Sequence, residues 1–277
     1  MKNFLMQNAR VVFGACGGVA GAVFSQLAPE GDLESASSLI FATAIWFGIN
    51  MAVVSLALAW GAGVHQRRFA FPRELAFKIM LGGAFAGCVA GGVAQLVFGS
   101  IDFESEGTQE LTKAACWGVA GGTVGVLLCR VVPNMSWLRG GIGGFLGGGV
   151  GGGLFVGSYA LLGEIPEFLG HAIGIGVLGA AMGLSLGLAD RLYRKAWLEI
   201  LWAPKETTTV ALGLQPVRIG GGDDHVYVHG LTPGAMNIVM EGGDIVLTRS
   251  SKSGQDILKD GSLISVGSVQ VKVHAQS

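Results

Sequence analysis

Glycines recur four residues apart inside apolar stretches: Gly83, Gly87 and Gly91; Gly140, Gly144, Gly148 and Gly152; Gly179, Gly183 and Gly187. Residues four apart share one face of an α-helix, so each run predicts a flat strip where another backbone can approach. Within lipid, van der Waals contact along such a strip replaces the missing hydrophobic drive between helices. The apolar runs around these strips reach membrane-spanning length. They predict six spans, at Arg10 to Ala28, Ser38 to Val64, Ala76 to Ser100, Leu111 to Val132, Gly140 to Leu162 and Phe168 to Asp190. The expected fold class for residues 1–190 is a membrane all-α bundle.

Polar positions collect between the runs, and their charge alternates. Glu30, Asp32 and Glu34 follow the first span, Asp102, Glu104, Glu106 and Glu110 the third, and Glu164 and Glu167 the fifth. The other connections hold Arg67, Arg68, Arg73 and Lys78, then Arg130 and Arg139, and the last span runs into Arg191, Arg194 and Lys195. Lysine and arginine are retained in the cytoplasm, which predicts cytoplasmic N- and C-termini in an inner membrane of bacterial type. The alternation also suggests a repeat of about 65 to 70 residues. Cys16-Gly-Gly-Val-Ala-Gly21 echoes Gly87-Cys-Val-Ala-Gly91 and Gly147-Gly-Gly-Val-Gly-Gly152. Units that all start on one side are parallel repeats about an axis along the membrane normal, giving three hairpins in a pseudo-threefold bundle. Glycine-rich composition alone produces the same echo.

Beyond the spans, Arg191 to Trp202 mixes basic residues, aromatics and leucines. It reads either as a juxtamembrane helix at the headgroup surface, anchored by Trp197 and Trp202, or as a continuation of the sixth span. Residues 191–204 form the expected linker. From Thr207 the pattern changes to short β-prone runs broken by glycine turns, and alternation in Val269-Gln-Val-Lys-Val-His points the valines inward. Residues 205–277 are expected to form a small all-β sandwich.

Within that segment, Val217-Arg-Ile-Gly-Gly, Gly243-Asp-Ile-Val-Leu-Thr and Leu258-Lys-Asp-Gly-Ser-Leu-Ile-Ser-Val-Gly-Ser-Val-Gln-Val resemble strands of a forkhead-associated (FHA) domain. The resemblance covers only the C-terminal segment and implies a protein-docking fold. Domains of that family bind phosphothreonine through an arginine, a serine with a nearby histidine, and an asparagine. Here Gly221 stands at the arginine position, Thr232-Pro-Gly-Ala-Met at the serine and histidine, and Ser250-Ser-Lys-Ser-Gly254 has no asparagine. A phosphate dianion needs charge-assisted donors, and Arg218, Arg249 and Lys252 are the candidates.

Composition narrows the function classes. Charged residues make up 13% and hydrophobic residues 51% of the 277, and mean hydropathy is +0.56; a soluble domain carries about 25% charge. The 48 glycines follow no three-residue period and come with only 7 prolines, so a collagen is excluded. A net charge of -1 without a basic stripe leaves no nucleic-acid footprint. Cys16, Cys88, Cys116 and Cys129 read as small packing residues. Lys2 and Arg10 before an apolar run resemble a signal peptide, but recurrence of the glycine pattern makes this run one member of a retained set.

The spans hold no ionisable residue at mid-depth, where a coupled transporter keeps one. Asn50 and Thr123 are candidates for a polar path, and Gln95 is comparably polar; Asn50 reads more readily as a hydrogen-bonding residue between helices. His171 reads as interfacial. The run from Gly141 to Gly152 matches phosphate-loop patterns by composition only, since no strand precedes it. No nucleophile elbow or metal-ligand cluster is present, so no enzyme, cofactor or metal is expected. Three readings remain: a membrane scaffold or complex subunit presenting a docking domain, a channel or transporter subunit, and a phosphothreonine adaptor. The partners expected are the lipid bilayer, a cytoplasmic protein at residues 205–277, and a second copy of the chain.

Overall fold

The apolar runs fold as helices: α1 Ala9–Ser25, α2 Ala36–His65, α3 Arg73–Ser100, α4 Glu106–Leu128, α5 Trp137–Leu162 and α6 Glu167–Leu192. The computed structural model describes residues 8–32, 35–66, 72–101, 103, 105–162, 166–192, 194–204, 206–250 and 252–275. Serines start two of the helices. The hydroxyl of Ser35 accepts from the Ser38 amide at 3.4 Å and that of Ser105 from the Thr108 amide at 3.3 Å, each satisfying a donor the first turn leaves over. Among the described residues, α2, α3, α4 and Phe168–Leu192 of α6 are long and apolar enough to cross a membrane, with mean hydropathies of 1.3 to 2.0. Large apolar side chains such as Phe41, Phe85, Leu111 and Val150 lie exposed on the outside. That surface fits a membrane protein, because lipid tails accept what water would penalise.

Each helix packs beside its sequence neighbours, and α1 also packs beside α6, which closes a ring. Neighbours run antiparallel, so Asn8 and Leu192 lie at the same end, the end that carries the strands. Large side chains fill the centre from the even-numbered helices: Met51, Val54 and Leu58 of α2, Trp117, Val124 and Leu128 of α4, Ile175, Leu178 and Met182 of α6. The odd-numbered helices contribute small residues between them. A Cβ on Gly14 or Gly18 of α1 would strike the carbonyls of Gly179 or Ile175 on α6. On α3, Gly83, Gly87 and Gly91 face Met51, Phe47 and Thr43 of α2. On α5, Gly140 and Gly144 meet the carbonyls of Gly125 and Gly121 on α4, Gly148 meets that of Trp117, and Gly152 meets the Trp117 ring.

One residue back on the odd-numbered helices lies a second strip, facing the next helix. On α1, Gly17 and Gly21 face Ala57 and Asn50 of α2; on α5, Gly143, Gly147 and Gly151 face Ser185, Met182 and Leu178 of α6. The equivalent strip of α3 is Gly82, Ala86, Ala90 and Ala94. A Cβ added at Gly82 would stand 3.0 Å from the Leu127 side chain of α4. Beyond it the alanine methyls stand where the other two helices have none, and α3 makes its sparsest neighbour contact with α4.

The segment expected as a juxtamembrane helix is a strand. α6 stops at Leu192 and β1 spans Ala196–Ala203. Its alternation decides this: Ala196, Leu198 and Ile200 are fully buried, while Trp197 and Glu199 are partly exposed on the other face. Trp197 stacks on His274 with centroids 5.0 Å apart, and the Trp202 indole donates to the Thr208 hydroxyl at 3.0 Å. Both tryptophans therefore serve the sheet. The β region begins at Ala196 and not at residue 205.

The remaining strands are β2 Glu206–Leu212, β3 Val217–Gly220, β4 Val226–Tyr227, β5 Met236–Glu241, β6 Asp244–Arg249, β7 Lys252–Leu258, β8 Leu263–Val266 and β9 Val269–Ala275. They form two sheets, ordered β2-β1-β9-β8 and β4-β3-β5-β6-β7, around one apolar core that includes Leu198, Ile219, Ile238, Leu247 and Val271. Neighbours are antiparallel except β3 and β4. Val269, Val271 and Val273 point inward as the alternation predicts. β7 covers a stretch whose Ser253-Gly254 reads as a turn. The pairing of β7 with β6 slips there instead, from Arg249↔Lys252 to Thr248↔Gln255, and Gly254 takes φ +143. The turn signal marks a bulge.

Candidate functional site

The polar residues singled out within the spans do not meet. Asn50 is fully buried, its side-chain amide donates to the Trp46 carbonyl at 2.9 Å, and its oxygen lies near Gly21 of α1 without a hydrogen bond. It belongs to the α1–α2 contact. Thr123 is exposed on the outside of α4, with its hydroxyl on the Val119 carbonyl at 2.9 Å. No path joins the two. Gln95 accepts from the Thr43 hydroxyl at 3.3 Å.

Gln95 lies at a large recess in the bundle. At the end away from the strands, where the alanine strip of α3 separates from α4, a cavity of about 960 Å³ opens between Thr43, Gln95, Lys113, Cys116 and His171. Lys113 pairs with Glu110 at 2.8 Å. The floor is aromatic: Phe47 stacks on Trp117 with centroids 4.2 Å apart, and Trp46 leans on both Trp117 and His171. Phe155 lies parallel to His171 at 6.2 Å. Below the floor come Met51, Val124, Ile175 and Leu178, all fully buried. The recess is an open-mouthed vestibule with aromatic faces, hydrogen-bonding groups at its rim and an apolar plug beneath.

In the β region the candidate phosphate contacts also fail to converge. Register pairs Arg218 with Asn237 and Asn237 with Thr248, while Arg249 aligns with Met236 and Ile219. Adjacent register positions point to opposite faces, so the two arginines diverge. Each already has a carboxylate: Arg218 lies 3.7 Å from Asp224, and Arg249 lies 2.9 Å from Asp256. Lys252 starts β7, and its side chain lies outside the described residues.

The loops after β3, after β4 and after β6 meet at Asp224, which the sequence reading missed. This buried carboxylate accepts from the Gly234 amide at 2.6 Å. The Gly221 amide donates to the Thr232 carbonyl at 3.2 Å, and the Ser250 hydroxyl donates to the Gly234 carbonyl. A buried carboxylate, with Arg218 3.7 Å away, thus stands at the convergence of these loops.

A second missed residue joins the two parts of the molecule. Asn134, in the α4–α5 connection, has φ +58, the left-handed region that asparagine tolerates better than most residues. Its side-chain amide donates to the carbonyls of Ala211 at 3.1 Å and Gln215 at 3.0 Å, and its oxygen accepts from the Gln215 amide at 3.0 Å. One side chain reproduces the pairing of a strand and fixes the β2–β3 loop on the bundle. Pro133-Asn134 between two apolar runs was the available sequence signal.

The predicted packing glycines divide. Gly83, Gly87, Gly91, Gly144, Gly148, Gly152, Gly179 and Gly183 all face a neighbouring helix, whereas nothing stands within 4 Å of a Cβ on Gly187. Among the described residues the strip on α6 extends past α1, which begins at Ala9, and Arg10 lies opposite Gly183. Among the described residues no group of three metal-ligating side chains gathers. No family model, no curated protein and no solved structure matches the chain.

Proposed function

We propose that the chain is an integral membrane scaffold or complex subunit, in which six membrane-spanning helices anchor an FHA-like domain that docks a cytoplasmic protein. The observation that carries this reading is the filled centre of the bundle, where Met51, Val54, Leu58, Val124, Ile175, Leu178 and Met182 occupy the space a solute would need. The clamp at Asn134 supports it, since a docking domain held in one orientation presents its edges reproducibly. Antiparallel helices in even number, with Arg10, Arg130, Arg139 and Arg191 near the end that carries the strands, support cytoplasmic termini. The three-hairpin repeat is supported by a cyclic regularity: α1, α3 and α5 each turn glycines toward the helix before them.

The FHA-like reading is supported by where the resembling segments fall, on β3 and its following loop, on β6, and on the β8–β9 hairpin. Phosphothreonine recognition is the weaker use of that fold here. A buried carboxylate at the meeting point of the loops repels a phosphate dianion, and the two arginines diverge. Docking through an edge strand fits better, with Ile257 on β7 and Leu263 on β8 exposed at the sheet edges. A pull-down from native membranes tests this by comparing the full chain with a chain ending at Leu192, and a photo-crosslinker at residue 257 or 263 of the full chain locates the contact. If the shortened chain recovers the same partners, the β domain has no docking role.

The vestibule gives the channel or transporter reading one specific observation. Purified protein in liposomes decides between the two: solute flux above empty vesicles would replace the scaffold reading.

A further inference from the structure

The α6 glycine strip ends in a groove. One turn beyond Gly183, where no described atom of another helix lies within 4 Å of a Cβ added at Gly187, a cavity of about 60 Å³ opens. Its wall carries Arg10, Asp190, Arg191 and Arg194, at the end of the bundle where α1 begins and α6 finishes. Leu184 and Leu188 line the same groove, are 53% and 46% exposed, and lead along α6 away from the arginines.

The charges here do not cancel. Arg10 directs Nη1 and Nη2 to one oxygen of Asp190 at 3.2 Å, and Arg194 Nη2 lies 3.8 Å from that oxygen. Arg194 Nε donates to the Asp190 carbonyl at 3.2 Å. A single carboxylate therefore serves two guanidiniums, and Arg191 adds a third positive charge. The side chains of Arg10, Asp190 and Arg194 are 12%, 9% and 8% exposed, and Arg10 Nε is buried without a hydrogen bond. Burial pushes the Arg194 guanidinium below the usual arginine range; Asp190 opposes this, while Arg10 and Arg191 add to it. A buried donor left without an acceptor is destabilising, so the site as it stands favours an added acceptor that carries negative charge.

We infer that this groove binds a phosphate group, held by Arg10, Arg191 and Arg194, with space provided by Gly187. Guanidinium forks match phosphate oxygens, and basic pockets between membrane helices at the cytoplasmic side take anionic headgroups. When the phosphate belongs to a phospholipid, the acyl chain follows Leu184 and Leu188. The site lies on the α1–α6 contact and is independent of docking by the β domain.

Thermal unfolding of the full chain in neutral detergent tests it, with phosphatidylglycerol, phosphatidylcholine or inorganic phosphate added. Phosphatidylglycerol is expected to raise Tm by about 5 °C, as a ligand well above its Kd does, and phosphatidylcholine is not. Gly187→Leu puts a side chain into the groove, with its Cβ more than 4 Å from any described atom of another helix, so the variant is expected to fold while the gain disappears. Arg191→Gln, at an exposed position, weakens the apparent affinity about tenfold. A gain from inorganic phosphate alone that Gly187→Leu removes assigns the groove to the free anion. The inference is overturned by equal gains from phosphatidylcholine, by a gain that survives both substitutions, or by no gain from either phosphate source.

Discussion

Helix α4 has a tight contact on one side and a loose one on the other. Toward α5, glycine faces glycine: Gly121 against Gly144 and Gly125 against Gly140, with each absent Cβ replaced by a neighbour's carbonyl oxygen. Toward α3, one glycine, Gly82, meets Leu127, and the rest of the strip is Ala86, Ala90 and Ala94. The first contact runs the length of the helices and the second parts into the vestibule. Both pairs are antiparallel and sequence-adjacent, so topology does not separate them. What differs is one methyl per turn. Where lipid removes the hydrophobic drive, helix association rests on how closely backbones approach, and a methyl is enough to change that distance.

The tight side breaks first. Gly125→Ala places a methyl on the Gly140 carbonyl oxygen, and backbone faces backbone, so no rotamer relieves the clash. The expected loss is about 3 kcal/mol, the upper range for overpacking, measured by reversible unfolding in mixed micelles. A loss below about 1 kcal/mol would mean that α4 and α5 adjust freely and that the two sides of α4 do not differ in kind.

The tight side also carries the β domain, because Asn134 sits in the α4–α5 connection. Asn134→Ala removes its three hydrogen bonds and puts alanine at φ +58, for an expected cost of about 2–3 kcal/mol. Asn134→Gly tolerates the φ and loses only the bonds, so it should cost less. Hydrogen exchange at Ala211 to Gln215 reads the result: both variants should speed exchange there and leave α4 and α5 protected. If α4 loosens as well, the joint supports the bundle and is not merely carried by it.

Much of this was legible in the sequence, and the exceptions share a cause. The helices follow from apolar length, and Val269 to Val273 announce their sheet by alternation, since in each case one segment's own period decides. β1 was hidden because Trp197, Trp202, Arg191 and Arg194 make a convincing interfacial helix by composition, while Ala196, Leu198 and Ile200 carry the real period of two. β7 was hidden by Gly254, whose turn signal marks a bulge. Asn134, Asp224 and the Arg10–Asp190 pair act through partners about 80, 10 and 180 positions away, and no local pattern reports a partner at such a distance.

The loose side can be closed. Ala86→Gly with Ala90→Gly gives α3 the strip that α1 and α5 carry on their corresponding faces. Interaxial distance follows the side chains at the contact, so α3 and α4 should approach by about 1–2 Å at the far end, at a helix-propensity cost of about 1 kcal/mol per substitution. Electron-electron distance measurements between spin labels at residues 98 and 113, which flank the vestibule, read the change. An unchanged distance would assign the opening to the aromatic floor under Trp46 and Trp117.

The smallest effect tests whether spacing alone defines a packing glycine. Gly183 and Gly187 are indistinguishable in sequence, four residues apart on one helix face. Gly183→Ala drives a methyl into the Arg10 carbonyl and is expected to cost about 1–3 kcal/mol. Gly187→Ala meets nothing within 4 Å and exchanges the poorest ordinary helix former for the best, so it should stabilise by about 0.5–1 kcal/mol. Opposite signs one turn apart would show that α1 ends its contact at Arg10 and that the glycine pattern continues beyond the partner that explains it. Equal losses would place α1 against Gly187 as well and close the groove that Arg191 and Arg194 line.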